Sequence, residues 1–369
     1  MGRRVNVLSV VGTRPEAIKM APVIEKVRAA PWARCRVLAT AQHREMLDQV
    51  LDLFSITPDI DLDAMRPNQT LPELTSRLID KLDRTLAGEK PDVVLAQGDT
   101  TTVMTTALAC FYRGIPFGHV EAGLRTGNMT NPFPEEMNRV VAGRLATWNF
   151  APTEISRTNL LAEGISDSKI FVTGNTVIDA LLETKAKAIG TGLDIPADKR
   201  LLLLTAHRRE NFGEPIRAIF KAIQRLVEAY PDLYVLYPVH PNPNVKDVAR
   251  EMLGEIPGVK LCAPLEYGPF VSAMDRAHII LSDSGGVQEE APALAKPVLV
   301  LRAETERPEA VSAGVVRLVG TDTDDIVRET CALLDDPVHY AAMAQGASPY
   351  GDGHAAERIL RVLERDLMP

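Results

Sequence analysis

The amino-acid sequence predicts an α/β protein of two domains, each built on a doubly wound parallel sheet with helices on both faces. Short apolar runs alternate with longer segments in which apolar residues recur at helical spacing, and this alternation is typical of parallel sheets. The same plan recurs in both halves of the chain. At 369 residues the chain also exceeds what a single hydrophobic core usually organises.

The strands are predicted from apolar runs that are too short to cross a membrane and long enough to be buried in a sheet. In the first half these runs are residues 5–11, 36–40, 93–97, 115–120 and 149–151. The segments with helical spacing between them are residues 16–28, 45–54, 101–112 and 135–145. In the second half the strand candidates are residues 201–205, 234–237, 259–262, 279–282 and 298–301.

A polar segment separates the two halves. Residues 185–200 contain two glycines and a proline and show no strand pattern. We therefore expect a boundary within residues 173–200, with an N-terminal domain of residues 1–175 and a C-terminal domain of residues 176–354. The final segment, residues 355–369, contains a predicted helix that either closes the second domain or packs back on the first, and the sequence leaves both open.

Composition excludes several classes of function. The net charge of -8 argues against a nucleic-acid partner, which requires a concentrated basic surface. The four cysteines are widely spaced without metal-ligand pairs, which indicates buried reduced thiols. No apolar run approaches the ~18 residues of a membrane helix, and the run at 5–11 leads into a helix signal rather than a cleavage site. We expect a cytoplasmic protein without membrane contact.

The first predicted strand is followed by the sequence GTRPEAIK at residues 12–19. Thr13 suits a helix N-cap, and Glu16 completes a capping box three residues later. Arg14 and Lys19 lie near the positive end of that helix, where anions bind. The glycines of a dinucleotide fingerprint are absent, so NAD is not expected. These residues alone leave open a phosphate site or a solvated pair of cations.

Three carboxylates lie at or near the carboxyl ends of first-half strands. Asp99 and Glu121 each follow a predicted strand, and Glu135 opens a predicted helix. Singly, Asp99 is explained as a helix cap and Glu135 as a complement to a helix dipole. Because the carboxyl ends of parallel strands meet at one edge of a sheet, the three together predict acid–base chemistry.

The second half has two comparable loops. His207 and Arg208 directly follow a predicted strand, which suits diphosphate binding and proton transfer, with ion pairing to Glu210 as the structural alternative. The sequence SDSGGVQEE at 282–290 follows another strand. A small residue there is expected to cap a helix, and two glycines allow a phosphate to approach the backbone.

Two further side chains are candidates for contact with a nucleoside. Glu290 has two acceptor oxygens for the ribose hydroxyls, with a place among surface acids as the alternative. Phe270 is a candidate for stacking on a base, with a place in the core as the alternative.

These segments together resemble the non-hydrolysing UDP-N-acetylglucosamine 2-epimerase family along nearly the whole chain. The stretches that carry the resemblance are GTRPE at 12–16, QHREML at 42–47, GDT at 98–100, HVEAGLR at 119–125, TGNT at 173–176, HRRE at 207–210, DSGGVQEE at 283–290 and TERPE at 305–309. Their number and order identify the family better than any one of them.

The resemblance implies a fold, an activity and a set of partners. It implies two Rossmann-like domains facing across a cleft in the GT-B arrangement. It implies reversible conversion of UDP-N-acetylglucosamine to UDP-N-acetylmannosamine, without cofactor or metal, for surface polysaccharide synthesis. UDP is expected to leave C1 first, giving a 2-acetamidoglucal, and then to return. Family members are generally dimers, so a homodimer is expected.

The resemblance also assigns functions to matching positions. Candidate catalytic residues are Asp99, Glu121, Glu135 and His207. Candidate substrate-binding residues, with Phe270 added from its own position, are Arg14, Lys19, Phe270, Ser284, Gly285, Gly286, Glu290 and Arg307. Candidate residues for an activator site, at which some members bind a second UDP-N-acetylglucosamine, are Gln42, His43 and Arg208.

The sequence departs from the family pattern at three positions. Leu265 stands where some members have Gln, which removes a side-chain contact. In the activator site, Glu45 replaces a Gln and Asn68 replaces an Arg. Loss of a cation that faces a diphosphate weakens binding, so we expect weak or altered allosteric activation.

Three other functions stay open at this point. A GT-B glycosyltransferase would share the fold and the nucleotide-binding helix. A hydrolysing epimerase would release UDP and free N-acetylmannosamine. A sugar-nucleotide sensor would bind without turnover, but binding alone does not require carboxylates at the strand ends.

Overall fold

The computed structural model describes residues 3–40, 44–305, 307–346 and 348–368. The chain divides into two compact units: Met1–Ala180 with Tyr350–Pro369, and Leu181–Pro349. Each unit is an α/β structure built on one sheet in which every strand pair is parallel. The predicted fold class is confirmed.

Within the described residues, the sheet of the first unit has seven strands in the order β3-β2-β1-β4-β5-β6-β7. The strands are β1 Val5–Val11, β2 Ala33–Ala39, β3 Ile60–Asp61, β4 Val93–Gln97, β5 Phe117–Val120, β6 Trp148–Ala151 and β7 Ile170–Val172. The helices are α1 Arg14–Ala29, α2 Arg44–Leu53, α3 Leu71–Glu89, α4 Thr101–Arg113, α5 Glu135–Leu145, α6 Glu154–Ala162 and, at the end of the chain, α15 Ala355–Leu367. Helix α7, Thr176–Ala186, begins in the first unit and ends in the second.

The sheet of the second unit has six strands in the order β10-β9-β8-β11-β12-β13, again counted within the described ranges. The strands are β8 Arg200–Thr205, β9 Leu233–Pro238, β10 Val259–Cys262, β11 Ile279–Ser282, β12 Val298–Val300 and β13 Val316–Leu318. The helices are α8 Glu214–Ala229, α9 Pro243–Leu253, α10 Tyr267–Arg276, α11 Gly285–Glu290, α12 Pro308–Ser312, α13 Thr323–Asp335 and α14 Pro337–Met343.

The central strands form because helices cover both faces of each sheet. All five residues of β4 are buried, as are all four of β5 and of β11. A strand that is buried on both faces requires a continuous apolar run rather than an alternating one. In both sheets the strand order reverses beside the first strand of the unit, between β1 and β4 and between β8 and β11. Ligand-binding loops of doubly wound sheets lie at that point, beyond the carboxyl ends of the strands.

The helices pack through apolar faces. Helix α8 buries Ile216, Ile219, Phe220, Ile223 and Leu226 against the second sheet. Their spacing of three and four residues places all five on one face. Removing each of these side chains from water contributes roughly 1.5–3 kcal/mol.

Helix α15 lies in the first unit, where it packs against α1. The Asp179 carboxylate accepts the N–H groups of Ala355 (3.2 Å) and Ala356 (2.9 Å) at its first turn. Burial raises the pKa of Asp179, although these hydrogen bonds act in the opposite direction. Near its other end, the indole Nε1 of Trp148 donates to Asp366 Oδ2 at 2.7 Å.

Two other expectations from composition are tested by the structure. In the part of the chain that it describes, no helix is long and apolar enough to cross a membrane. All four cysteines are free thiols, but only Cys110 is fully buried. The expectation of buried thiols is therefore wrong for Cys35, Cys262 and Cys331, which are partly exposed.

Candidate active site

In the first unit, the central strands β1, β4 and β5 end beside one another. β4 pairs with both of its neighbours, so the loops that follow the three strands lie at one edge of the sheet. These loops carry Arg14, Asp99 and Glu121. Arg14 is the first residue of α1 and is half-buried.

Glu121 directly follows β5 and is 9% exposed. Its Oε1 accepts hydrogen bonds from Lys19 Nζ and, at 2.8 Å, from Asn175 Nδ2. Its Oε2 accepts a hydrogen bond from Gln97 Nε2. The backbone of Glu121 has a φ of +63°, a conformation that costs a residue with a side chain about 1–3 kcal/mol. The surrounding structure thus holds this carboxylate in place at both oxygens.

Asp99 follows β4 and is held by helix α5. Arg139 Nη2 donates to Asp99 Oδ2 at 2.5 Å, and Asn138 Nδ2 donates to the Asp99 carbonyl at 2.9 Å. The N-cap of α4 is Thr100, whose hydroxyl accepts the Val103 N–H. The interpretation of Asp99 as a helix cap is therefore wrong, because the next residue occupies that position.

His119, in β5, stabilises the loop that carries Asp99. It is fully buried, and its Nε2 lies 2.7 Å from the carbonyl oxygen of Gly98. A carbonyl can only accept, so Nε2 carries the proton of this hydrogen bond. Burial lowers the pKa of His119 to about 4, which keeps the ring neutral near pH 7.

Glu135 is the first residue of α5, and Glu136 is the second. Glu136 Oε1 accepts the N–H groups of Thr126 and Gly127, each at 3.0 Å, and so fixes the loop that leads into the helix. The Oε2 atom of Glu135 is buried and, among the described residues, has no hydrogen-bond donor. Glu136 Oε2 is also buried without a hydrogen-bond donor among these residues, but Arg139 Nη1 lies 3.3 Å from it. Glu136 therefore organises backbone and pairs with Arg139.

Glu16 is 3% exposed and connects two of the loops at this edge. Its Oε2 accepts the N–H groups of Gly12 (2.5 Å) and Thr13 (3.0 Å), and its Oε1 accepts the Thr100 hydroxyl at 2.6 Å. The predicted capping box of Thr13 and Glu16 is confirmed. Burial raises the pKa of Glu16 to about 7, against the lowering effect of these hydrogen bonds.

Gly12 is required by the packing of this loop. A Cβ atom at Gly12 would lie 2.6 Å from Thr40 Oγ1 and 2.7 Å from Thr102 Oγ1. Both hydroxyls are buried and hydrogen-bonded to each other at 3.1 Å. No side chain fits at this position without displacing them.

In the second unit, Asp283 organises the loop that follows β8. Its Oδ2 accepts the N–H groups of His207 and Arg208, each at 2.8 Å, and Asn211 Nδ2 at 3.0 Å. His207 Nδ1 lies 3.1 Å from Asp283 Oδ1. Asp283 is fully buried, which raises its pKa, but the contacts with His207 and the backbone outweigh burial and lower it.

His207 itself is accessible, since its side chain is 41% exposed. Its ring stacks on His240 with 5.6 Å between the ring centroids and 15° between the planes. Asp283 therefore fixes the Nδ1 side of the imidazole and leaves the rest of the ring exposed. Glu210, the structural alternative considered for this loop, pairs with Arg302 at 2.7 Å.

Arg307, the residue before α12, lies against Gly285 of the predicted phosphate site. Arg307 Nε donates to Glu289 Oε1 at 2.7 Å. A Cβ at Gly285 would lie 2.7 Å from the Arg307 Cζ atom, so a side chain there would displace the guanidinium group. Ser284 occupies the N-cap of α11, but its side chain makes no capping hydrogen bond, and the expected cap is wrong in that respect.

The two candidates for nucleoside contact lie in the same unit. Glu290 is 8% exposed, and Tyr267 donates its hydroxyl to Glu290 Oε2 at 2.8 Å. Phe270 is half-buried in α10. Glu290 is thus not one of a set of surface acids, which was the structural alternative for it.

The candidate activator site is described only in part. Gln42 and His43 lie outside the described residues, as does the side chain of Glu45. Arg208 is half-buried, and Asn68 is exposed with a φ of +54°. Leu265 is half-buried next to α10. Among the described residues, no group of three or more His, Cys, Asp or Glu side chains is arranged to hold a metal ion.

Comparison with known proteins identifies the family. The sequence profile of the UDP-N-acetylglucosamine 2-epimerase family matches residues 25–364. The UDP-N-acetylglucosamine 2-epimerase of Escherichia coli K12 is 52% identical over 370 aligned residues, which cover 98% of each chain. The chain belongs to the UDP-N-acetylglucosamine 2-epimerase family.

Other members of the epimerase family agree in sequence and structure. The UDP-N-acetylglucosamine 2-epimerase of Bacillus subtilis 168 is 51% identical and covers 98% of this chain and 95% of its own. The crystal structure of the Neisseria meningitidis UDP-GlcNAc 2-epimerase, bound to UDP-GlcNAc, superposes with a TM-score of 0.90 at 50% identity. The superposition covers 98% of this chain and 100% of the Neisseria meningitidis chain.

In this member of the epimerase family, sequence reasoning missed the residues that support the candidate groups. Gln97 and Asn175 hold Glu121, Arg139 holds Asp99, and Asp283 holds the His207 loop. A signal existed for two of them. Gln97 and Asp283 are polar residues at the carboxyl ends of buried strands, a position that reports on a site rather than on the core.

Proposed function

We propose that the chain catalyses the reversible epimerisation of UDP-N-acetylglucosamine and UDP-N-acetylmannosamine at C2. The observation that carries the proposal is the pair of carboxylates, Asp99 and Glu121, at the ends of the adjacent strands β4 and β5. In a chain of the epimerase family, such a pair supports proton transfer to and from a sugar carbon.

The reaction needs an indirect route because C2 bears a hydrogen with no carbonyl group beside it. In the route we propose, the C1–O bond to UDP breaks and a proton leaves C2. The products of this step are UDP and 2-acetamidoglucal. The C1–O bond then re-forms, and a proton adds to C2 from the opposite face. No redox cofactor or metal is required, and the atoms balance within substrate and solvent.

Protonation on opposite faces requires at least two acid–base groups. We propose that Asp99, Glu121 and Glu135 provide these acid–base groups. Glu121 receives hydrogen bonds at both oxygens, whereas Glu135 Oε2 has no donor among the described residues. This difference supports distinct roles for the two groups in proton transfer.

The departing UDP carries negative charge, which cations and hydrogen-bond donors stabilise. We propose Arg14, Lys19, His207 and Arg307 for this task. Lys19 also contacts Glu121, so it would link the diphosphate to the acid–base group. The anchoring of His207 by Asp283 and of Arg307 by Glu289 supports fixed positions for both.

The remaining proposed contacts hold the nucleoside and the backbone of the diphosphate. Ser284, Gly285 and Gly286 offer backbone amides, Glu290 accepts the ribose hydroxyls, and Phe270 stacks on the uracil ring. We further propose a homodimer whose product serves as a precursor for surface polysaccharides.

The test is incubation of the protein with UDP-N-acetylglucosamine in heavy water, followed by NMR of the sugar ring. The expected result is deuterium at C2 of both intact UDP-sugars. Accumulation of free N-acetylmannosamine and UDP would instead indicate hydrolysis, and turnover only with an added acceptor would indicate a glycosyltransferase. Binding without any turnover would indicate a sensor. Each of these three outcomes overturns the proposal.

We also propose that activation by a second UDP-N-acetylglucosamine is weak in this chain. The support is the replacement of a family Arg by Asn68 and of a Gln by Glu45. The expected rate is a hyperbolic function of UDP-N-acetylglucosamine concentration. A curve as sigmoidal as in activated members contradicts this proposal.

A further inference from the structure

We propose that Gln97 and Asn175 are positioning residues that hold Glu121 as a fixed, ionised carboxylate, ready to accept the C2 proton. The inference rests on the proposed function, because it deepens the role of Glu121 in that reaction. Neither Gln97 nor Asn175 is predicted as a site residue from the sequence.

Both oxygens of the Glu121 carboxylate accept hydrogen bonds from side chains. Asn175 Nδ2 donates to Oε1 at 2.8 Å, and Gln97 Nε2 donates to Oε2. Lys19 Nζ donates to Oε1. These donors come from three separate parts of the fold: the end of β4, the residue before α7, and α1. Among the described residues, Lys19 is the charged group in contact with Glu121, and the other two donors are neutral amides.

Burial makes these contacts necessary. Glu121 is 9% exposed, Gln97 3% and Asn175 2%. An ionised carboxylate away from water is stable only when cations and hydrogen-bond donors replace its hydration. Donors directed at both oxygens stabilise the charged form over the protonated form, which needs one oxygen to act as a donor.

The orientation of the Asn175 amide is fixed by its other contacts. Its Oδ1 accepts the Val177 N–H at 3.1 Å, which leaves the NH2 group to face Glu121. Its backbone N–H donates to the Tyr350 carbonyl at 2.6 Å. The side chain thus serves two purposes, a cap for α7 and a donor to Glu121.

Gln97 has no comparable structural purpose. Its Oε1 is buried and, among the described residues, has no hydrogen-bond donor. An unsatisfied buried oxygen is unfavourable, and an apolar side chain at this position of β4 would avoid it. The contact with Glu121 is the interaction in the structure that accounts for a glutamine here.

The experiment uses two substitutions that keep shape and reverse the polarity toward Glu121. Asn175→Asp retains the oxygen that caps α7 but turns a second oxygen toward the carboxylate, and Gln97→Glu has the same effect from β4. Gln97→Met removes the donor without adding a charge. Gln224→Glu is the matched control, because Gln224 Nε2 donates to the Met252 carbonyl in the second unit, away from the carboxylates.

The readouts are kcat and KM from pH 5 to 10. For Asn175→Asp and Gln97→Glu, we expect kcat at pH 7 to fall about 10- to 100-fold, with KM changed less than about threefold. We expect the acidic limb of the kcat profile to move up by about 1–3 pH units, because a second carboxylate favours protonation of Glu121. Activity therefore recovers near pH 9. Gln97→Met moves the limb in the same direction by less, and Gln224→Glu leaves it unchanged.

Two results overturn the inference. One is a loss of activity in folded variants with an unmoved acidic limb, which assigns Gln97 and Asn175 a structural role only. The other is a rise in KM at constant kcat, which makes them substrate-binding residues. If Asn175→Asp does not fold, the Gln97 variants decide. Deuterium incorporation at C2 by the unmodified protein is measured in parallel, so that a failure of the proposed function is distinguished from a failure of this inference.

Discussion

Glu121 in the first unit and Asp283 in the second are buried carboxylates with different kinds of hydrogen-bond partner. In the first unit, Glu121 is held by side chains that converge on it from three elements. In the second unit, Asp283 follows the central strand β11 and accepts mainly backbone N–H groups of the neighbouring loop. Glu121 is 9% exposed, whereas Asp283 is completely buried. Glu121 is positioned by the side chains around it, whereas Asp283 positions the loop that follows β8.

Both kinds of carboxylate occur in each unit. Glu16 in the first unit accepts backbone N–H groups, as Asp283 does in the second. Glu290 in the second unit receives the hydroxyl of a side chain, Tyr267, as Glu121 receives side-chain donors in the first. The comparison teaches that a buried carboxylate bonded to backbone shapes a loop, and that one bonded to side chains is available to a ligand. Four substitutions test this distinction.

The largest effect is expected at Glu121. Glu121→Gln keeps the volume of the side chain and removes the proton acceptor, so we expect kcat to fall about 100- to 10,000-fold. The measurement is initial-rate kinetics with UDP-N-acetylglucosamine. Glu89→Gln is the control, since Glu89 pairs with Arg36 at the opposite end of the strands, and it should leave kcat unchanged. Near-normal turnover of the folded Glu121→Gln protein contradicts the assignment.

The next effect is expected on folding, at Asp283. Asp283→Ala leaves two backbone N–H groups and the Asn211 amide without their buried acceptor, so the free energy of unfolding should fall by about 3–5 kcal/mol. Urea denaturation measures it. The control is Asp322→Ala, which removes an exposed carboxylate that accepts two N–H groups of α13 and should lower the free energy by about 1 kcal/mol. Equal losses for the two variants would show that the buried Asp283 carboxylate contributes no more to stability than an exposed helix cap.

The sequence was sufficient for the central elements of the fold. The boundaries predicted for β1, β4, β10, β11 and α5 agree with the structure. For β1, β4 and β11 the reason is that strands buried on both faces require continuous apolar runs. Three strands were missed: β3, β7 and β13. Each has only two or three residues and is partly exposed, so its pattern is too short to recognise.

Helix α3 was also missed, although its signal was present. Leu74, Leu78, Leu82 and Leu86 recur every four residues and are all buried, and Thr70 begins a capping box. A spacing of four with a capping signal predicts a helix, so the sequence contains enough information to predict α3.

The candidate site was predictable only in part. Asp99 and Glu121 are adjacent to strand ends, and a strand end can be located from sequence. The supporting residues cannot be found in this way, because Lys19 and Asn175 lie 102 and 54 residues from Glu121 along the chain. Such contacts depend on the order of strands in the sheet, which hydrophobic patterns do not specify.

A third prediction concerns the pH dependence of stability at Glu16. Its pKa is raised from 4.5 in the unfolded chain to about 7 in the folded protein. The folded state therefore binds the proton more tightly, and the contribution to stability is complete below pH 4.5 and is lost as the pH rises through 7. The shift corresponds to about 3 kcal/mol of unfolding free energy. Glu16→Gln should abolish this loss, since glutamine does not ionise.

The measurement is urea denaturation of the original protein and the Glu16→Gln variant at pH 5 and pH 8. The change in unfolding free energy between the two pH values is compared for the two proteins, so that the contributions of all other titrating groups cancel. Glu73→Gln is the matched control from the exposed capping box of α3. Hydrogen bonds from Thr70 lower the pKa of Glu73, so protonation of Glu73 changes the stability only at pH values below 4.5. The change in unfolding free energy between pH 5 and pH 8 should therefore be the same for Glu73→Gln and for the original protein. If Glu16→Gln also shows the original difference, Glu16 is not the titrating group.

The smallest effect is expected at the side-chain-bonded carboxylate of the second unit. Tyr267→Phe removes the hydroxyl that donates to Glu290 Oε2, so Glu290 loses a fixed orientation but keeps its charge. Loss of this orienting contact is expected to cost about 1 kcal/mol of binding free energy, which corresponds to an increase in KM of about fivefold at constant kcat. Tyr340→Phe removes a hydroxyl that bonds to the His278 carbonyl in the same unit and should leave KM unchanged. Equal KM values for the two variants would show that Glu290 keeps its orientation without Tyr267, and then the distinction between the two kinds of carboxylate would apply to the first unit alone.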